Sequence, residues 1–257
     1  MNNDPNVISY RALRQLIGIL GMALPFLCWG VNAFVNHAGF LSNPLFVDTS
    51  RSLPYTPFIN LKSSISHFYY TAAGPLFTGI LITVAVFLFC YKGHPLKLKD
   101  DLYAWLTDNR LASFAAICAL CVVTFPTGSE EKITDNIHIF VASKITGYVH
   151  LGFATLFFVS IAVLCIINFR RNPGKVFIQS PEGTLYLVCG WGMLSCLALL
   201  AVVSFTPLHD LSWMPYNFIY IMETVMLVLF GTAWLVKGKS TPTQYVFRKL
   251  SQKSESK

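Results

Sequence analysis

Six stretches of about twenty mostly apolar residues punctuate the chain, at residues 16–35, 69–91, 108–125, 148–169, 184–205 and 216–236. A helix of about 20 apolar residues crosses a hydrocarbon core of roughly 30 Å, so each stretch predicts one membrane span. The third has the shortest apolar core and needs Asp108 and Asn109 to reach that length. Aromatic residues cluster at the predicted ends: Tyr69, Tyr70, Tyr148, Trp213 and Tyr216 toward one face, Tyr91, Trp105, Tyr186 and Trp234 toward the other. Such girdles mark membrane–water interfaces. The predicted fold is therefore all-α, a polytopic transmembrane helical bundle of six spans.

Composition agrees. Of the 257 residues 54% are hydrophobic and only 12% charged, against roughly 25% charged in soluble domains. A water-soluble globular protein is excluded. The formal charge of +7 does not point to nucleic acid, because the cations do not gather on one basic face. They sort by topology instead. With the N-terminus in the cytoplasm, fifteen of the 19 Lys and Arg fall on inner segments, leaving Arg51, Lys62, Lys132 and Lys144 outside. The positive-inside rule then places both termini in the cytoplasm, in an N-in/C-in multi-pass protein of the cell membrane, with the bacterial inner membrane as the expected compartment.

The domain plan is one transmembrane unit over residues 1–237, outer cap loops at 36–66 and 127–147, and a basic cytoplasmic tail at 238–257 suited to anionic headgroups. The segment around His138 suits a short interfacial helix. The first span has the basic flank and apolar core of a signal peptide, but no small-residue cleavage site follows, so it reads as an uncleaved span. All seven cysteines fall within spans, and Cys118 and Cys121 form a C-x-x-C among apolar neighbours, which suits packing thiols better than a redox pair. Pro25 and Pro75 are expected to kink the first and second spans. Ala112, Ala116 and Ala119, and Gly190, Gly192 and Ser195, suit close helix contacts.

Chemistry must come from the few polar residues. His37, His67, His138, His150 and His209 fall in or near the outer leaflet, and only His94 is cytoplasmic. Glu223 lies inside the sixth span, and an intramembrane carboxylate is a candidate functional group unless it is simply hydrogen-bonded to a neighbouring helix. His67, Tyr70, His150, His209, Asp210 and Glu223 are thus the expected ligand-binding set, with His67, His150 and Glu223 sharing one outward-facing cavity for a lipid or small amphiphile. If the site reacts, Glu223 and His150 are the expected catalytic pair, in a membrane-embedded lipid hydrolase. No H-E-x-x-H or similar spacing occurs, so no metal ligand set and no cofactor are predicted; zinc held by imidazoles and carboxylates is the second option. Membrane lipids are the expected partners, and a homo-oligomeric effector, channel or transporter component is a further reading.

Two resemblances bear on this reading. The spacing from Ser63 to His67 is similar to the Ser-x-x-x-His element of alkaline ceramidases and related zinc-dependent membrane hydrolases, but Asp108 is predicted at the opposite face and the late His-x-x-x-His is missing. Over most of its length the chain resembles a bacterial family of six-helix membrane proteins without an assigned activity. That resemblance is carried by Ser64-Ile65-Ser66-His67-Phe68-Tyr69-Tyr70-Thr71, Phe87-Leu88-Phe89-Cys90-Tyr91-Lys92-Gly93, Phe125-Pro126-Thr127, His150 with Phe157-Phe158, and Glu223 with Trp234-Leu235-Val236-Lys237-Gly238. Gly74-Pro75 departs from it, standing where such proteins favour charged residues.

Overall fold

A computed structural model describes residues 10–37, 61–93, 105–128, 140, 143–171, 180–206, 215 and 217–239. Six α-helices carry them: α1 (Tyr10–His37), α2 (Gly74–Cys90), α3 (Asp108–Thr124), α4 (Lys144–Val163), α5 (Pro181–Phe205) and α6 (Phe218–Lys237). A short 3-10 helix, Ile65–Tyr70, precedes α2, and α4 runs on into a π-helical turn, Leu164–Asn168. No strand occurs among the described residues. Among the described residues four helical segments are long and apolar enough to cross a membrane: Tyr10–Val35, Lys144–Asn168, Pro181–Phe205 and Phe218–Lys237. At 17 residues, α2 is apolar but shorter.

Each helix packs on its neighbours in the chain, and α6 closes the ring against α1. The closing contact depends on two glycines. A Cβ on Gly231 would lie 2.6 Å from the Gly18 carbonyl oxygen, and one on Gly18 would lie 2.8 Å from that of Gly231. Only hydrogen at both positions lets the two backbones meet, the small-residue packing that membrane helices use. Within α3, Ala112, Ala115, Ala116, Cys118 and Ala119 turn to the core, and Gly190 on α5 sits against Ile166 and the Ala162 carbonyl oxygen. Ala112, Ala116, Ala119 and Gly190 therefore serve the contacts that their size suggested, and Gly192 lies against Leu229, whereas Ser195 is exposed.

Two expectations change. The stretch at residues 69–73 does not belong to the second helix, which starts at Gly74 with Pro75 in its first turn. Proline fits there because the first amides of a helix have no intrahelical partner and its fixed φ suits helix entry. Pro75 thus starts α2 and does not kink it, whereas Pro25 does lie inside α1. The cap loops also carry helical structure: residues 65–70 form the 3-10 helix, and α4 begins at Lys144 behind a Ser143–Thr146 capping box. Residues 38–60 of the 36–66 cap, the predicted interfacial helix apart from Phe140, and the tail beyond Lys239 lie outside the described residues.

Polar groups sort to the two ends of the bundle. At one end Arg11 donates from its side chain to the carbonyls of Gly238 and Lys239, and Arg14 to that of Lys237, so cations close the C-terminus of α6. Asp108, at the start of α3, accepts from the Tyr91 hydroxyl at 2.9 Å and from the Asn168 amide at 2.8 Å, the latter delivered by the π-helical turn. Gly93, at φ +68°, allows the chain to pass directly over Asp108. His67, His150 and Glu223 occupy the opposite end.

Candidate functional site

The second polar end is organised by the five residues Ser63 to His67. Ser64 caps the 3-10 helix, its Oγ accepting from the Ser66 amide at 3.2 Å. Glu223 reaches across from α6: its Oε2 accepts from the Ile65 amide at 2.6 Å, and the Ser64 hydroxyl lies 2.9 Å from both carboxylate oxygens. In return the Ser63 carbonyl accepts from the Tyr220 amide at 2.8 Å, in the first turn of α6. Helix starts leave amide donors without partners, and here each helix supplies the acceptor that the other lacks. Tyr220 also donates from its hydroxyl to the Pro25 carbonyl at 3.1 Å and packs edge-on against Phe68. The 3-10 helix is thereby pinned to α1 and α6 together.

His150, buried in the first half of α4, faces the same segment. Its Nδ1 lies 2.8 Å from the Phe125 carbonyl oxygen and its Nε2 lies 2.9 Å from Ser66 Oγ. A carbonyl oxygen only accepts, so Nδ1 carries the proton, and in the neutral ring Nε2 accepts from the Ser66 hydroxyl. His67 pairs separately, its Nδ1 lying 2.8 Å from Ser63 Oγ, with a backbone hydrogen bond to Gly128. Burial first, then the charge of Lys62 and the neighbouring His150, push His67 from 6.5 down to about 4. It is a neutral imidazole at physiological pH. The Tyr70 hydroxyl donates to the Thr127 carbonyl at 2.5 Å and holds the segment that follows α3.

Beneath the 3-10 helix lies a cavity of about 60 Å³. Only Ser66 and Glu223 bring polar side chains to its wall; Leu24, Phe77, Leu81, Phe157 and Leu227 are among the apolar remainder. By this measure a single water needs roughly 10–15 Å³, so the space suits about four or five groups of that size. No family model, curated protein or solved structure matches the chain.

The expected residues are thus distributed around one segment but not around one cavity. Glu223 reaches the wall, His150 stands behind Ser66, and His67 and Tyr70 are not in the lining because their polar atoms are turned to Ser63, Gly128 and Thr127. His209 and Asp210 lie outside the described residues. Both nitrogens of His150, both oxygens of Glu223 and Nδ1 of His67 are directed to protein atoms. Among the described residues no three His, Cys, Asp or Glu side chains converge as a metal would require. The residues missing from the expected set are Ser63, Ser64 and Ser66. Their signal in the sequence is a run of three hydroxyls in four positions immediately before His67.

Proposed function

We propose that this chain is a six-span membrane protein, with both termini on the cytoplasmic face, whose outward-facing pocket binds the polar end of a lipid or small amphiphile. The observation that carries the reading is the cavity, apolar on all sides except for Ser66 and Glu223. Sites for small amphiphiles combine an apolar lining with a few polar groups that fix orientation. The membrane assignment is supported by large apolar side chains on the outside of the bundle, such as Phe205 at 84% exposure and Trp191 at 57%, since surface of this kind needs lipid or a partner to cover it. At 17 residues, α2 and α3 are each about 25 Å long at 1.5 Å per residue, the lower limit for a span. Arg11, Arg14, Arg171 and Lys237 gather at the end away from the cavity, which the positive-inside rule assigns to the cytoplasm.

The test is native mass spectrometry of the protein released from nanodiscs. Wild type should retain one amphiphile per chain, and Leu81→Trp, which fills the cavity, should lose it while staying folded. Equal retention by the two proteins, or none by either, refutes the pocket.

A further inference from the structure

We propose that Ser66 and His150 form a nucleophile–base pair, and that the cavity is the acyl site of a membrane-embedded esterase. This deepens the pocket reading above and rests on it. Three observations converge. Ser66 Oγ and His150 Nε2 are 2.9 Å apart, within the range of a working nucleophile–base hydrogen bond. The Phe125 carbonyl, 2.8 Å from Nδ1, fixes the tautomer in which Nε2 is free to take a proton, the orienting task that a third group performs in such pairs. Ser66 also lines the cavity while His150, at 5% exposure, stands behind it, so the hydroxyl faces incoming substrate and the imidazole does not.

The molecule contains its own comparison. Ser63 and His67 make a second Ser–His hydrogen bond at 2.8 Å, but neither residue lines the cavity. Of the two pairs, Ser66–His150 is the one that reaches this cavity. Glu223 acts here as a positioning residue: by accepting from Ile65 and Ser64 it holds the start of the 3-10 helix, and with it Ser66, on α6.

The substrate class that fits is a carboxylic ester whose acyl group is short or enters by its carbonyl end, given the volume of about 60 Å³ and the apolar wall. Ser66 Oγ attacks the carbonyl carbon as its proton passes to His150 Nε2. The ester C–O bond then breaks, the Nε2 proton goes to the departing alcohol oxygen, and the acyl group remains esterified to Ser66. Water next gives a proton to Nε2 and its hydroxyl to the acyl carbon. The Oγ–C bond breaks, and the proton returns to Ser66 as the free acid leaves.

The full-length protein in detergent is treated with a fluorophosphonate probe, and the modified residue is located by peptide mass spectrometry; p-nitrophenyl butyrate hydrolysis is measured in parallel. The probe should map to Ser66. Hydrolysis should fall at least a hundredfold in Ser66→Ala and His150→Asn and stay within about twofold in Gly152→Ala, a position with open space around it. Mapping of the wild type needs no variant to fold: no modification, or modification at Ser63 or another residue, overturns the pair. Hydrolysis that persists in Ser66→Ala also overturns it. If wild type is unmodified yet retains an amphiphile that Leu81→Trp loses, the pair fails and the pocket stands; if neither retains one, the pocket reading itself fails.

Discussion

The carboxylate of Glu223 joins the 3-10 helix to α6 by side-chain bonds, and its removal gives a quantitative test of the architecture. Two donors depend on it, the Ile65 amide and the Ser64 hydroxyl, and Ile65 and Ser64 are 3% and 7% exposed. A buried donor left without a partner costs about 1–3 kcal/mol, so Glu223→Ala should cost roughly 2–6 kcal/mol for the two. Hydrogen bonds measured inside membranes average nearer 0.6 kcal/mol each, which sets a floor of about 1 kcal/mol. Between these limits we expect about 2–4 kcal/mol, and at roughly 2–4 °C per kcal/mol for a chain of this size the midpoint should drop by about 5–15 °C. Glu223→Gln keeps one acceptor oxygen for the Ile65 amide, and the Ser64 hydroxyl can rotate to accept from the new NH₂, so its loss should be less than half as large. The assay is thermal unfolding in detergent, followed by the reactivity of the buried free thiols such as Cys28 and Cys165. A midpoint for Glu223→Ala within 1 °C of wild type, or Gln as damaging as Ala, would refute the docking role.

Two further outcomes follow from the same geometry. Gly231→Ala should destabilise the α1–α6 contact by about 1–3 kcal/mol, since its Cβ would meet backbone at 2.6 Å and overpacking at that level forces a shift; Gly152→Ala, with open space around it, should be neutral or stabilising, and thermal unfolding of the pair decides. The second concerns pH. Unfolded His67 takes a proton near 6.5 and folded His67 only near 4, so above pH 7 its contribution does not change, and as pH falls between those values stability drops by up to about 1.4 kcal/mol per unit, levelling off below 4. At pH 5 the loss attributable to His67 should approach 2 kcal/mol, and it should disappear in His67→Gln; parallel pH profiles for the two proteins would reject it.

The helices were legible because apolar runs of membrane length are a strong signal that does not depend on tertiary contacts. Residues 108–125 and 184–205, read from hydropathy, lie within a few positions of α3 and α5. The failure at residues 69–73 has the same origin, because a hydropathy window counts Tyr69 and Tyr70 as membrane residues and does not register that Gly74-Pro75 is a helix start. Glu223 and His150 were recoverable as rare polar residues in apolar surroundings. Ser66 was not, because a serine is unremarkable until its partner is known, and that partner is 84 positions away in the chain. The same holds for Ser64 and Glu223, separated by 159 positions.

The two ends of the bundle hold their charged groups differently. At the Arg-rich end Asp108 accepts from the side chains of Tyr91 and Asn168, and the Arg11 and Arg14 side chains donate to carbonyls at the end of α6, so the network stitches helix termini together. At the other end the 3-10 helix is held by its backbone and by Ser64, which leaves the Ser66 side chain without a structural task beyond its bond to His150. A polar residue needed only to fix the fold would have been used as Ser64 is, with its hydroxyl saturated by a cap and a carboxylate. Ser66 instead presents one face to an imidazole of fixed tautomer and the other to an apolar cavity, and an arrangement of that kind serves what enters the cavity more directly than it serves the fold.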